Sequence, residues 1–344
     1  MLLEDEMFPH GRLIHAPGTR RSSRIPPRFS AKRFSPATAL GHDMQYEVSG
    51  FLPLGAAPIR IDKSRYEEVK TAKSSCLLAL EIEEKFALLL DNYYEFECEL
   101  LRLAEASLIW PYRDHQHSMQ ERLTLDRRLV NLLTACRLYL DQTDHGLSSL
   151  FGDLSGELDN VKRFKNELYE KHWGYRLMEA LRNHVQHSGL PGHVIKYSWS
   201  AVPGKVAEYT QVTVVPQTEP KTLAEDKNFK KTVLNELMGK GETVDLREPA
   251  REYVACFIEL HDKIRETIDT RIRRDRIIYG AASTEYSEIS GQKVEFPNLI
   301  EMNDDGTISE RVALVTEFLH YYDSLREKNR ANVKLRTTCA SNCN

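Results

Sequence analysis

Between Ser64 and Trp110 the apolar residues Ile82, Phe86, Leu89, Tyr93, Phe96, Leu100 and Leu103 follow one another at alternating intervals of four and three. Such intervals return a side chain to the same stripe of a helix at every turn, and a stripe sustained this long needs other helices to cover it. The spacing therefore predicts one long helix, stopped at Pro111, inside a bundle. A second helix is predicted from about Gln120 to Leu150, where Leu125, Leu129, Leu132, Cys136 and Tyr139 keep the same rhythm. The short loop from Pro111 to Met119 makes the two antiparallel neighbours. A third helix, about Leu154 to His172, carries Leu154, Leu158, Val161, Phe164 and Leu168, and Gly174 marks a kink or break before a fourth, Tyr175 to His187.

Past residue 190 the pattern changes. Val194 to Ala201 and Tyr209 to Val215 are β-rich runs separated by Pro203-Gly204-Lys205, which reads as a hairpin. Helices are expected from about Leu223 to Met238 and from about Asp245 to Tyr279, the latter with Asp245 as N-cap and with a stripe of Ala250, Val254, Phe257, His261, Ile264 and Ile268. Gly291 to Met302 reads as a short strand or hairpin arm, Asn303-Asp304-Asp305-Gly306 as a turn, and Glu310 to Asn329 as a last helix. Ahead of the bundle, Met44 to Ile61 alternates loosely among Gly50, Pro53, Gly55 and Pro58, a short strand with an irregular lead-in. The expected fold class is mainly α: a four-helix-type bundle followed by a smaller α+β region. The boundaries that follow are a basic Pro/Arg-rich tail over 1–43, a helical bundle over 44–190, an α+β region over 191–330 packed on the bundle, and a polar tail over 331–344.

The N-terminal stretch has no acid between His10 and His42 and carries Arg20, Arg21, Arg24, Arg28, Lys32 and Arg33 among prolines, so it reads as a disordered leader that can also hold RNA phosphates. The chain as a whole has a formal net charge of −4, so any contact with nucleic acid must come from local patches. Arg271, Arg273, Arg274 and Arg276 form one such cluster, although Glu266, Asp269 and Asp275 are interspersed and favour a solvated helical face. No apolar run approaches membrane length and no signal-peptide core is present, so the chain reads as cytoplasmic with no membrane partner. The cysteines are scattered, and Cys339 and Cys343 lack histidine neighbours, so no metal site or cofactor is expected. Asn92, Glu95, Glu97 and Asp141 sit beside the helical seams, where such groups either reach a bundle site or face solvent. His261, on an apolar stripe, reads as a hydrogen-bonded core histidine.

The sharpest chemical signal is Leu181 to Pro191, Leu-Arg-Asn-His-Val-Gln-His-Ser-Gly-Leu-Pro. Leu177, Leu181 and Val185 recur every fourth residue, and Gly189 and Pro191 end the helix. Asn183 and His187 then lie one turn apart on one face, while Arg182 and His187 are offset by about 140° around the axis. An arginine that keeps its charge and a histidine, whose imidazole ordinarily titrates near 6.5, suit a reaction on a phosphodiester.

The pattern Arg182-Asn183-x-x-x-His187 late in a helical bundle resembles the signature of the HEPN superfamily, in which an arginine is followed by a polar residue and, four to six residues on, by a histidine. The resemblance covers roughly residues 64–190. It implies an all-α domain that dimerises so that two copies of the motif face each other and cleave RNA without a metal, leaving a 2′,3′-cyclic phosphate. On that reading Arg182 neutralises the phosphate, Asn183 orients His187 or the phosphate, and His187 moves the proton. The implied partners are RNA and a second copy of the chain, with an antitoxin or other regulatory protein as a further one, in a toxin or phage-defence setting. The alternative from the same resemblance is a non-catalytic module that binds a nucleotide or a protein. Two bland readings compete: a metal site from His184, His187 and His193, and a helix end on which Arg182 pairs with a neighbouring acid while the histidines cap the last turn.

Overall fold

The computed structural model describes residues 44–50, 57–110, 114–153, 155–201, 210–291, 297–330 and 335. The basic stretch 1–43, the Pro203-Gly204-Lys205 turn, and Cys339 and Cys343 lie outside them. Within the described residues the chain is mainly α with two small antiparallel sheets, the class that the spacing predicts.

The seam helix α1 is Lys63–Ile109, opened by Asp62, whose carboxylate accepts the Arg65 backbone N–H. Ile82, Phe86, Leu89, Phe96, Leu100 and Leu103 are all buried along it. Helix α2, His115–Phe151, starts earlier than its apolar pattern because Asp114 caps the polar turn ahead of that pattern. Helix α3 is Gly156–Lys171 and α4 is Trp173–His187. The break between them falls at His172, whose backbone is extended, and Gly174 lies inside α4 rather than at the break.

Strands β3 (Val194–Ala201) and β4 (Thr210–Thr218) pair antiparallel with Tyr197 opposite Val214, and a two-residue β5 (Val244–Asp245) extends that sheet. The helix expected over 223–238 is two pieces, α5 (Pro220–Leu223) and α6 (Lys231–Met238). The reason is Asp226, whose carboxylate accepts the Asn228 N–H and so closes a turn where a helix would have continued. Asp245 does not cap the long helix: it sits in β5, and its carboxylate takes the Arg247 N–H and guanidinium instead. Helix α7, Arg247–Ser290, continues past Tyr279 because Ala282 and Tyr286 are still buried against the first sheet.

That first sheet has the order β2-β1-β6-β7, from β1 (Gln45–Ser49), β2 (Ile59–Ile61), β6 (Asn298–Met302) and β7 (Ile308–Ala313). The last helix, α8, is only Glu317–Lys328, since the stretch from Ile308 is claimed by the hairpin with β6.

Ala250, Val254, Phe257, Ile264 and Ile268 of α7 are buried in the same cluster as the seams of α1, α2 and α4, so the bundle's core is closed by a helix from the second half of the sequence. His261 is fully buried there, stacked on Phe86 with ring centroids 3.7 Å apart, 3.0 Å from the Tyr139 hydroxyl and 3.2 Å from Glu83. It is a hydrogen-bonded core histidine. Among the described residues no helix is long and apolar enough to cross a membrane.

Candidate functional site

Helix α4 carries the motif, and its period decides where each residue goes. Leu177 and Leu181 are buried and Val185 half-buried, which leaves Asn183, Gln186 and His187 exposed on the opposite side. At about 100° per residue, Arg182 and His184 fall on the two flanks of the buried stripe, about 160° apart. The two flanks meet different neighbours.

On the first flank the Arg182 side chain is 14% exposed. Its Nη1 donates to the Gln186 side-chain carbonyl at 2.8 Å, and its nearest acid, Glu179, stands 3.8 Å away. Glu179 itself accepts the Tyr253 hydroxyl at 2.5 Å. The Nε of Arg182 is buried with no hydrogen-bond partner. Arg182 is thus neither free nor tightly paired.

On the second flank α4 ends in an open groove of about 650 Å³, walled by the turn after the helix, by the 222–228 turn and by α2. His184, Ser188, Gly189, Gly192, His193, Asp226, Lys227 and Arg122 line it, whereas Arg182, Asn183 and His187 do not. His184 is 8% exposed and its Nδ1 is 2.7 Å from the Asp226 carboxylate. Hydrogen bonds from His184, from Ser188 and from the Asn228 N–H pull Asp226 down to about 2, so it is a carboxylate throughout the neutral range. Nδ1 of His184 therefore carries a proton, and in the neutral ring Nε2 is the acceptor. That Nε2 is turned toward Gly189, where a Cβ would stand 3.4 Å away.

His193 has the opposite tautomer. Its Nδ1 accepts the Glu219 backbone N–H at 2.8 Å, so the neutral ring holds its proton on Nε2. Burial lowers its pKa, with His184 and Arg122 lowering it further against the opposing pull of Glu219, which keeps the ring neutral at pH 7. One groove thus holds a histidine whose Nε2 accepts and another whose Nε2 donates.

The groove's wall is pinned by α2. Asp126 accepts the Gly192 N–H at 2.8 Å, and Arg122 donates to the Gly192 carbonyl at 3.0 Å. The loop backbone passes so close that a Cβ on Gly192 would overlap the Asp126 carboxylate. Burial raises Asp126 to about 6, against the lowering effects of Arg122 and the Gly192 N–H. Between the ordinary carboxylate value near 4 and about 6 the folded chain keeps a proton that the unfolded chain gives up. Asp126 therefore lowers stability as pH rises through that window, by roughly 2–3 kcal/mol above it. Asp126→Asn is expected to raise the melting temperature at pH 8 and to leave it nearly unchanged at pH 4, measured by calorimetry.

The other polar residues flagged by the sequence are structural. Glu97 holds the Arg251 guanidinium through both oxygens, at 2.7 and 2.8 Å. Glu95 pairs with Arg128, and Asp141 with Arg137. Asn92 donates to the Leu88 carbonyl one turn back. The arginine cluster of α7 is neutralised in place, Arg273 by Asp269, Arg274 by Asp275 and Arg276 by Asp323. Among the described residues no three His, Cys, Asp or Glu side chains are grouped so as to hold a metal ion, which removes the His184, His187 and His193 triad. Sequence pattern marked His184 as a possible metal ligand or helix cap and His193 as a possible metal ligand. It gave no sign of Asp226 or Arg122, which come from elements far along the chain.

Comparison of the chain with family models, with curated proteins and with solved structures gave no match.

Proposed function

We propose that this chain is a metal-independent endoribonuclease whose chemistry is carried by the C-terminal turns of α4, in a site shared between two copies of the chain. The observation that carries the reading is the arrangement of the motif on that helix. Asn183 and His187 stand exposed on successive turns, and beside them is an arginine whose nearest carboxylate is 3.8 Å away and whose Nε has no acceptor. RNA brings its own nucleophile, the 2′-hydroxyl, so the protein has to move protons and stabilise charge on the phosphorane. His187 is placed to move a proton. Arg182 is offset from it by about 140° around the helix, so within this reading the arginine acts on the phosphate held by the facing copy. Exchanging Gln186 for a phosphate oxygen gives its guanidinium a charged acceptor.

The half-burial of Arg182 beside Glu179 favours a second reading, a non-catalytic nucleotide- or protein-binding module in which the arginine orders the helix. The two separate cleanly. Purified chain incubated with mixed RNA and a metal chelator is expected to leave 2′,3′-cyclic phosphate ends, with the rate reduced about a hundredfold to ten-thousandfold in Arg182→Ala and in His187→Ala at unchanged melting temperature. Cleavage that both variants retain, or none by the parent chain, selects the binding module.

A further inference from the structure

Proton transfer at a phosphodiester needs a base for the 2′-hydroxyl and an acid for the leaving 5′-oxygen. His187 supplies one such group per chain. The groove beside it supplies another. We propose that His184 is the general base of the cleavage reaction and that it works with His187 of the same chain, the scissile phosphate sitting at the rim of the groove. This rests on the endoribonuclease reading and changes its composition, since both proton carriers then come from one protomer.

Three features of the geometry support the assignment. First, residues three apart on a helix have Cβ atoms about 5–6 Å apart, so a phosphodiester at the rim of the groove lies within reach of both His184, which lines it, and His187, which stands exposed just outside it. Second, Asp226 fixes the ring of His184 at 2.7 Å through Nδ1, which makes Nε2 the basic nitrogen and stabilises the imidazolium that forms when it takes a proton. His261 is held by a carboxylate too, but deep in the core, whereas the carboxylate-bound His184 lines an open groove. Third, the groove holds what a phosphoryl group needs: the Arg122 guanidinium, and the Nε2–H of His193, which stays a neutral donor. The remaining titratable groups on the walls are Glu225 and Lys227, with Asp126 behind Gly192 and Glu219 behind His193.

The step balances within the chain. The 2′-hydroxyl proton moves to Nε2 of His184 as the bond from the 2′-oxygen to phosphorus forms. The bond from phosphorus to the 5′-oxygen breaks, and that oxygen leaves with the proton of the His187 imidazolium. Arg122 and the His193 N–H face the charge that develops on the non-bridging oxygens. The products are a 2′,3′-cyclic phosphate and a 5′-hydroxyl, and exchange with solvent returns both histidines to their starting states.

His184→Asn is the informative variant, because the asparagine amide can still donate to Asp226 while the basic nitrogen is gone. It is expected to melt near the parent and to cleave a fluorescent RNA oligonucleotide about a hundredfold or more slowly. His184→Ala, which leaves space in an open groove, is expected to regain activity when imidazole is added, a response that a packing role does not give. Mixing the His184→Asn and His187→Ala chains is expected to restore nothing, since no protomer then holds both histidines. Undiminished cleavage by His184→Asn, no rescue by imidazole, or recovery on mixing overturns the assignment while leaving the endoribonuclease reading standing. If the parent chain cleaves no RNA, both fall together.

Discussion

Glu83→Ala is expected to be among the most destabilising single substitutions in this chain, at about 3–5 kcal/mol. Glu83 is 1% exposed on α1 and is the acceptor around which three helices meet. Arg265 of α7 donates to it from Nε at 2.8 Å and from Nη2 at 2.6 Å, and His261 approaches at 3.2 Å from the same helix while holding Tyr139 of α2 through its other nitrogen. Removing the carboxylate leaves a guanidinium that is 11% exposed with no counter-charge, and the cost of that orphaned cation exceeds the cost of the lost hydrogen bonds. Glu83→Gln keeps the shape and one acceptor, so it is expected to lose less. The pH dependence has a definite sign. Burial alone would raise the Glu83 pKa, but the bonds from Arg265 and His261 bring it down to about 2. Its contribution is therefore complete above the ordinary glutamate value near 4.3 and is lost as pH falls toward 2. The gap between the urea midpoints of the parent and Glu83→Ala should narrow as pH falls from 7 to 3. A constant gap across that range would show that the carboxylate's charge is not what stabilises the junction.

The seams of α1 and α2 were legible in the sequence because a bundle core is a repeat of local spacing, and Ile82, Phe86 and Leu89 or Leu125, Leu129 and Leu132 declare it without reference to anything distant. Glu83 was not. It stands next to Ile82 in the same stripe, and nothing local distinguishes a buried acid with an arginine 182 positions away from an acid facing water. The candidate site divides along the same line. Asn183 and His187 are exposed as their helix phase requires, and a single helix is enough to place them. The groove depends instead on contacts across 42 positions, from His184 to Asp226, and across 66, from Gly192 to Asp126. Helix ends failed where polar side chains intervened. Asp226 broke an expected helix by accepting the Asn228 backbone N–H, and Asp245 joined a strand, because such residues offer the chain alternatives to helix that apolar spacing cannot reveal.

Gly174→Ala tests how α4 is seated, and helix propensity and packing predict opposite signs for it. Gly174 lies in the first turn of α4, and replacing a helical glycine by alanine ordinarily stabilises by about 1 kcal/mol. Here a Cβ would stand 2.6 Å from the Glu252 carboxylate, 2.8 Å from the Pro249 backbone carbonyl and 2.9 Å from the Glu252 Cβ, all on α7. Two of those three atoms belong to the framework of a buried helix and cannot swing aside. The third is held as well, since Glu252 accepts the Gly174 N–H at 2.6 Å and faces His172 at 2.9 Å, which ties down the start of α4. The extra methyl must therefore push the two helices apart. Their separation would disturb the packing of Tyr175 on Tyr253 and Phe257, and with it the Tyr253 hydroxyl on Glu179 beside Arg182. The expected outcome is a loss of about 3 kcal/mol, read as a lower urea midpoint, in place of the gain that propensity predicts. Because the same helix carries Asn183, His184 and His187, the substitution is also expected to reduce RNA cleavage under conditions where the chain is still folded. An alanine variant as stable as the parent would mean that α4 sits farther from α7 than this and that its start is not seated on Glu252.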